Sequence, residues 1–242
     1  RTTKQWFLKV EDIKEQLIAE NNKITWVPQA AYNAFNSWLE NLRDNSISKQ
    51  RFWGTPLPVW RNVDDPKDYI VIGSVKELKE LANLEREPDD LHIPTIDKIV
   101  FQHTGKDGKM HEFRRVPDVL DVWVDAGTTS WNCLDFPQRH DRFDDLYPAD
   151  FILEGKDQIR GWFNLLHIAS MVAVGKPAFK ACYMHGFIND SQGRKMSKSL
   201  KNYILPEEVT SKYGVDATRY YMIGAANPGF DMNYNFEDLD AK

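Results

Sequence analysis

The sequence predicts an α/β protein, and three observations carry that reading. Asp150-Phe151-Ile152-Leu153 is a short apolar run. It passes through the polar turn Glu154-Gly155-Lys156-Asp157 into Phe163, Leu166, Ala169 and Ala173 at helical spacing, a helix expected from near Asp157 to Gly175. Strand, turn and helix in that order form the crossover of a parallel sheet. Ala181, Tyr183, His185 and Phe187 then share one parity, as on a second strand, before turn residues Asn189 to Gly193. Amphipathic helical segments at both ends complete the pattern.

In chain order, Val10, Ile13, Leu17 and Ile18 predict a helix within residues 6–20, ended by Asn21-Asn22. Ile24 to Val27 is a candidate short strand. Pro28 suits the first turn of a second helix, whose stripe is Ala31, Phe35, Trp38, Leu39 and Leu42. Core packing is the reading for those aromatics. In Ser48 to Trp60, Pro56 and Pro58 forbid a helix and Gly54 permits a sharp turn, so a structural corner is expected.

Residues 61–116 read as a smaller inserted α+β unit. It should hold a strand at 69–72, a helix at 75–84 and a hairpin of 99–103 with 112–115 around Lys106-Asp107-Gly108. Its charge is high, and no chemistry is assigned to it. Val119, Leu120, Val122 and Val124 predict a buried strand that turns at Asp125-Ala126-Gly127, with Trp123 a core residue by pattern alone. Asp118, Asp121 and Asp125 fit caps and turns better than a metal cluster. Towards the end, a helix from Pro206 to Tyr213 stops at Gly214, and another runs from Asp216 to Ala226.

Composition sets outer limits. A net charge of −5 excludes wholesale coating by nucleic acid, so any RNA contact must be local. No apolar run reaches the length of a membrane span. Two cysteines, Cys133 and Cys182, are too few for a disulfide framework or a four-ligand zinc site, which favours a reducing, cytoplasmic setting. The chain opens without an initiator Met and ends without a closing signal, and it reads as a piece of something longer.

Two stretches carry chemistry. Ligands of open α/β sheets bind where strands end and helices begin. Glu154 and Asp157 are therefore placed to accept hydrogen bonds from ribose hydroxyls, and Gly155 removes a side chain where a ligand would pass. Taken alone, Asp157 is equally a helix cap. The second stretch is a loop with Arg194, Lys195, Lys198 and Lys201 and no acid between Asp190 and Glu207. Lysine suits a polyanion whose charge moves during reaction, because it is a mobile point charge on a long stem. Ser197 and Ser199 add hydroxyl donors. A solvated basic loop is the bland alternative.

The strings themselves narrow the choice. KMSKS at 195–199, after HGFIND, resembles the second signature of class I aminoacyl-tRNA synthetases. A chance match to one given pentapeptide in such a chain arises roughly once in ten thousand. SKQRFWGTPLPVW at 48–60 resembles the block after the editing insertion of isoleucyl-tRNA synthetases, with Lys49 in place of Arg and Asn45-Ser46 where Trp is usual. PDVLDVWVDAG at 117–127 and EGKDQIRGWF at 154–163 resemble two further blocks of the same enzymes. Leu91-His92-Ile93-Pro94 resembles the other signature, HIGH, only superficially, since Pro94 replaces its glycine and Thr95 its last histidine.

The resemblance implies the second half of a Rossmann-like parallel-sheet catalytic domain. Residues 48–60 and 117–192 would form that core and 61–116 its insertion. Residues 1–47 would return from an editing insertion, and 193–242 would hold the KMSKS loop and the start of a helical stem-contact region. It implies adenylate binding by Glu154, Gly155 and Asp157, with His185, Ser197 and Lys198 near the nucleotide. Lys195 and Lys198 would neutralise the departing pyrophosphate. Gln158 would read the amino group, and Trp123 and Trp162 would wall the amino-acid pocket. A flat apolar slot rejects a side chain one methylene shorter only modestly, which implies a separate editing domain. The partners implied are isoleucine, ATP with Mg2+ and tRNA(Ile). No protein-bound metal is expected. The HIGH half and the editing domain would lie before Arg1, leaving this piece alone with little activity. A valyl-type ligase and a non-catalytic nucleotide- or RNA-binding module of the same fold remain the alternatives.

Overall fold

A computed structural model describes residues 4–241. Internal contacts divide the chain into two compact units. One joins the described residues up to Glu11 with Arg43–Ala126; the other joins Asp12–Leu42 with the residues from Gly127 onward. Motif blocks and compact units thus partition the chain differently, with 48–60 grouped beside 61–116.

The second unit is built on a three-stranded parallel sheet in the order Ile152–Gly155, Ala181–His185, Thr25–Val27. The crossover expected after Asp150 is present, in two pieces. Lys156–Arg160 is a 3-10 helix, Gly161 breaks the line with ψ −112°, and the α-helix runs from Trp162 to Ala173. Helix Gln29–Glu40 buries Ala31, Phe35 and Leu39, and Pro28 stands just before it as its cap residue. Trp26 is the hub of this core, packing on Phe35 at 5.1 Å, Phe163 at 5.7 Å and Phe179 at 5.8 Å. Burial of each such ring contributes about 1.5–3 kcal/mol. The indole N–H of Trp26 donates to Asn21 Oδ1 at 2.9 Å, so its polar atom is not orphaned. His167 is fully buried against Phe35 and donates through Nε2 to the Leu17 carbonyl at 2.8 Å. Desolvation pushes its pKa down and keeps it neutral. Burial pushes the Cys182 thiol up to about 12, which makes it a packing residue and not a nucleophile.

The helix expected within 6–20 is shorter than its apolar pattern. Phe7–Leu8 pairs antiparallel with Asn45–Ser46, Glu11–Ile13 is one 3-10 turn, and only Lys14–Asn21 is α-helical. The cause is long-range: Glu11 N donates to Asp44 Oδ1 at 3.2 Å and Asp44 N to Glu11 Oε1 at 3.3 Å. Helical periodicity carries no information about such a partner.

The first unit holds an antiparallel sheet in the order Tyr69–Val71, Val59–Asn62, Met110–Arg115, Val100–Thr104. The hairpin and the flanking strand are as the sequence predicts, and helix Val75–Leu81 is capped by Ser74 Oγ, which accepts from Glu77 N at 3.1 Å. Trp60, Ile72, Leu78, Ile96, Phe101 and Phe113 form its core. The expected strand through Val124 is corrected. Only Val119–Leu120 is extended, pairing with Ser48–Lys49, and Val122–Gly127 is helical with Val122 68% exposed. Asp121 is the reason: its Oδ1 accepts from Trp123 N at 2.9 Å and its carbonyl from Val124 N at 2.9 Å, which starts a helical turn.

His111 clips this unit together. Its Nδ1 lies 2.9 Å from Asp64 Oδ2 and its Nε2 3.0 Å from Asp107 Oδ1 in the hairpin turn. Both nitrogens face acceptors, which favours the imidazolium, and the hydrogen bonds to Asp64 and Asp107 raise its pKa above the ordinary 6.5. A raised folded-state pKa gives stability that is complete below 6.5 and lost as pH rises through the folded value. The difference in Tm between the wild type and His111→Gln should therefore be largest near pH 5.5 and shrink towards about pH 9. Thermal denaturation across that range checks it; a difference independent of pH would show that the charge plays no part.

Candidate active site

The site is assembled at the carboxyl edge of the parallel sheet. Register places Gly155 beside His185 on adjacent strands. A Cβ on Gly155 would lie 2.7 Å from Asp157 Oδ1 and 3.3 Å from His185 Cε1, so glycine is what lets these two side chains converge. His185 Nδ1 donates to the Gly186 carbonyl at 2.6 Å, leaving Nε2 outside that bond. Glu154 and Asp157 are both exposed to solvent. Gln158 spans the turn: its Nε2 donates to Asp157 Oδ2 at 2.9 Å, and its Oε1 accepts from Trp162 N at 3.0 Å. The second bond satisfies an orphan N–H at the start of the α-helix, and the first holds Asp157 in place. Trp162 is half-buried at that helix start. Trp123 belongs to the other unit, where it is 43% exposed on the short helix after Asp121.

The basic loop leaves the same sheet edge. Phe187 follows His185-Gly186 and has a lysine ammonium over its ring from each stretch: Lys156 Nζ at 4.8 Å from the centroid and Lys195 Nζ at 5.9 Å. Lys156 is also ion-paired with Asp231 Oδ1 at 2.6 Å, and Asp231 accepts from Phe187 N at 2.8 Å. Lys156 first, then that N–H, holds the Asp231 carboxyl below the usual carboxylate range. Ile188–Asn189 pairs in parallel with Met232–Asn233, fastening the start of the loop to the segment that carries Asp231.

Within the loop, Asp190 accepts four hydrogen bonds. Gln192 N (3.0 Å) and Arg194 N (2.9 Å) reach Oδ1, and Arg194 Nε (2.8 Å) and Asn202 Nδ2 (2.9 Å) reach Oδ2. These donors, Asn202 foremost, lower its pKa to about 2. The stability they supply is present above the ordinary 3.8 and lost only as pH falls through about 2. Arg194 is thus occupied by Asp190, while Lys195, Lys198 and Lys201 are exposed, and Lys198 forms no ion pair among the described residues. Ser197 Oγ accepts from Leu200 N at 3.2 Å and lies 3.1 Å from Ser199 Oγ, so it braces the loop tip. Met196 tucks under the loop against a cluster of Val209, Tyr221, Met232, Tyr234 and Leu239. Lys156, Phe187, Asp231 and Asn202 were not singled out from sequence, and Asp190 was read only as a turn former.

Comparison with known proteins gives this geometry a family. Residues 1–235 match the family described as tRNA synthetases class I (I, L, M and V). The chain is a class I aminoacyl-tRNA synthetase sequence. Among curated relatives, the synthetase chain is 41% identical over 239 residues to the isoleucine–tRNA ligase of Methanothermobacter marburgensis, and 44% identical over 240 residues to that of Archaeoglobus fulgidus. Each alignment covers 98% of this chain and 22% of the relative, so the chain spans about a fifth of their length. The fold is similar to that of Mycobacterium tuberculosis methionyl-tRNA synthetase in complex with methionyl-adenylate. That TM-score is 0.64 at 24% identity, covering 98% of this chain and 36% of the other. It is also similar to a LeuRS–tRNA–LeuAMS ternary complex from Agrobacterium radiobacter, with TM-score 0.59 at 22% identity over 88% of this chain and 30% of that one.

Gly186 is the most closely packed of the described glycines. A Cβ there would lie 2.1 Å from the Phe230 carbonyl oxygen and 2.2 Å from its carbon, both backbone atoms that cannot rotate away. Gly186→Ala should cost at least about 1–3 kcal/mol and lower Tm by several degrees, as overpacking does. Thermal denaturation decides it, and an unchanged Tm would mean that the two backbones do not approach so closely.

Proposed function

We propose that the chain is part of an isoleucine–tRNA ligase, which activates isoleucine with ATP and passes it to tRNA(Ile). The observation that supports this most is the meeting of Lys156 and Lys195 over Phe187. It brings the basic loop next to the acidic turn at one sheet edge. Identities of 41–44% to archaeal isoleucine–tRNA ligases support the choice of amino acid.

In this reading Glu154 and Asp157 accept from the ribose hydroxyls of ATP, and Gly155 gives the nucleotide room. The isoleucine carboxylate attacks the α-phosphate in line and pyrophosphate leaves. No protein nucleophile takes part; catalysis is positioning and stabilisation of developing phosphate charge. Lys198 and Lys195 follow the β- and γ-phosphates as they depart, with Ser197 shaping the tip between them. His185 offers Nε2 on the nucleotide side of Gly155. Gln158 reads the substrate ammonium through the remaining lone pair of Oε1, since its other groups hold Asp157 and Trp162 N. Trp162 is an apolar wall for the branched side chain. Mg2+ enters with ATP; among the described residues no cluster of three His, Cys, Asp or Glu is arranged to hold an ion. No helix among them is long and apolar enough to cross a membrane, and a cytoplasmic setting suits the reaction.

ATP–pyrophosphate exchange by the full-length gene product tests this. Isoleucine should drive exchange well above valine, leucine or methionine, and Lys198→Ala should reduce it on the order of 10²-fold. The isolated 242-residue chain should give little exchange. Preference for valine, or indifference to Lys198→Ala, would overturn the assignment.

A further inference from the structure

Two side chains, Asp190 and Asn202, close the basic loop at its neck. Asn202 Nδ2 donates to Asp190 Oδ2 at 2.9 Å and to the Lys195 carbonyl at 3.2 Å, while Asn202 Oδ1 accepts from Ser197 N at 3.0 Å. One carboxamide therefore joins residue 202 to the backbone at 195 and 197, and ties that ring to Asp190 at the end of the preceding strand. At the tip, Leu200 N donates to Ser197 Oγ and Lys201 N to the Lys198 carbonyl at 3.3 Å. Lys201 completes the turn at φ +51°, a conformation that a lysine adopts only when its surroundings hold it there. Asp190 and Asn202 are both largely shielded, whereas the lysines they organise are exposed.

We propose that Asp190 and Asn202 are a pair of positioning residues that hold the loop closed at its neck and so fix where Lys195 and Lys198 project. This rests on the ligase reading above. Neither side chain meets substrate. Their effect is to remove loop freedom before ATP binds, so that the lysines need little further ordering as pyrophosphate leaves. Lys195, inside the closed ring, is held with its ammonium over Phe187, while Lys198 at the tip stays free of ion pairs among the described residues.

The loop contains trypsin sites at Arg194, Lys195, Lys198 and Lys201, which makes the clasp measurable without activity. In the full-length gene product, Asn202→Ala and the near-isosteric Asp190→Asn should each speed cleavage at Lys195, Lys198 and Lys201 by about tenfold or more. Sites elsewhere should be unchanged, as local opening requires. In ATP–pyrophosphate exchange both should lower kcat by about 10–100-fold with the KM for isoleucine unchanged. The double variant should be no worse than the poorer single, because the pair acts as one unit. Unchanged loop cleavage in both variants would overturn the clasp. Faster cleavage with unaltered exchange would overturn its positioning role, and so would a rise in cleavage over the whole chain, which marks general unfolding. If the wild type shows no isoleucine-dependent exchange, the ligase reading fails, and the cleavage rates still decide whether the clasp exists.

Discussion

Everything at the site follows from the parallel pairing of Ile152–Gly155 with Ala181–His185. That register ends both strands together. The chain leaving one strand is the acidic turn, and the chain leaving the other is the route into the basic loop. Two stretches that are thirty residues apart in sequence thus share one edge, with Gly155 facing His185 and Phe187 flanked by Lys156 and Lys195. A slip of one residue would turn alternate side chains to the opposite face and undo the arrangement. The aromatic core around Trp26 fixes the register. Cys182, the second residue of the central strand, is buried and pairs opposite both Ile152 and Trp26.

Charge is managed locally at this edge. A loop with four basic residues and no internal acid repels itself, and the fold answers with one carboxylate at its edge, while a second neutralises the lysine of the neighbouring turn. Asp190 takes Arg194, and Asp231 takes Lys156, in both cases with backbone N–H groups sharing the load. What remains uncompensated is the lysine set aimed at solvent. This division matches a site that must attract a polyanion and let it go, because a lysine already bound in a tight ion pair would first have to leave it.

Much of this was legible in the chain before its coordinates. The parallel crossover, the hairpin around Lys106-Asp107-Gly108, the helices at 206–213 and 215–224, and the KMSKS loop after a strand were all marked by spacing or turn residues. The misses have two causes. The apolar run around Val10 is periodic, yet the backbone before Glu11 pairs with residues beyond Asp44, and a helical wheel has no place for that partner. The valines after Leu120 look like a strand until Asp121 captures the N–H of Trp123. Side chain–backbone competition of this kind leaves only a weak mark in composition.

The sequence by itself determined which groups are available: a cationic loop without acids, a Glu-Gly-Lys-Asp turn after a strand, and motif strings specific enough to indicate the family. Those are properties of neighbours along the chain, and spacing reports them. Only the tertiary structure decided what the groups meet. Lys156 finds Asp231 across 75 positions and Phe187 finds the same carboxylate across 44. Asp190 gains its fourth hydrogen bond from a residue twelve positions on. Such pairings depend on strand register and close backbone packing at Gly186, which are set when the sheet and its aromatic core form together.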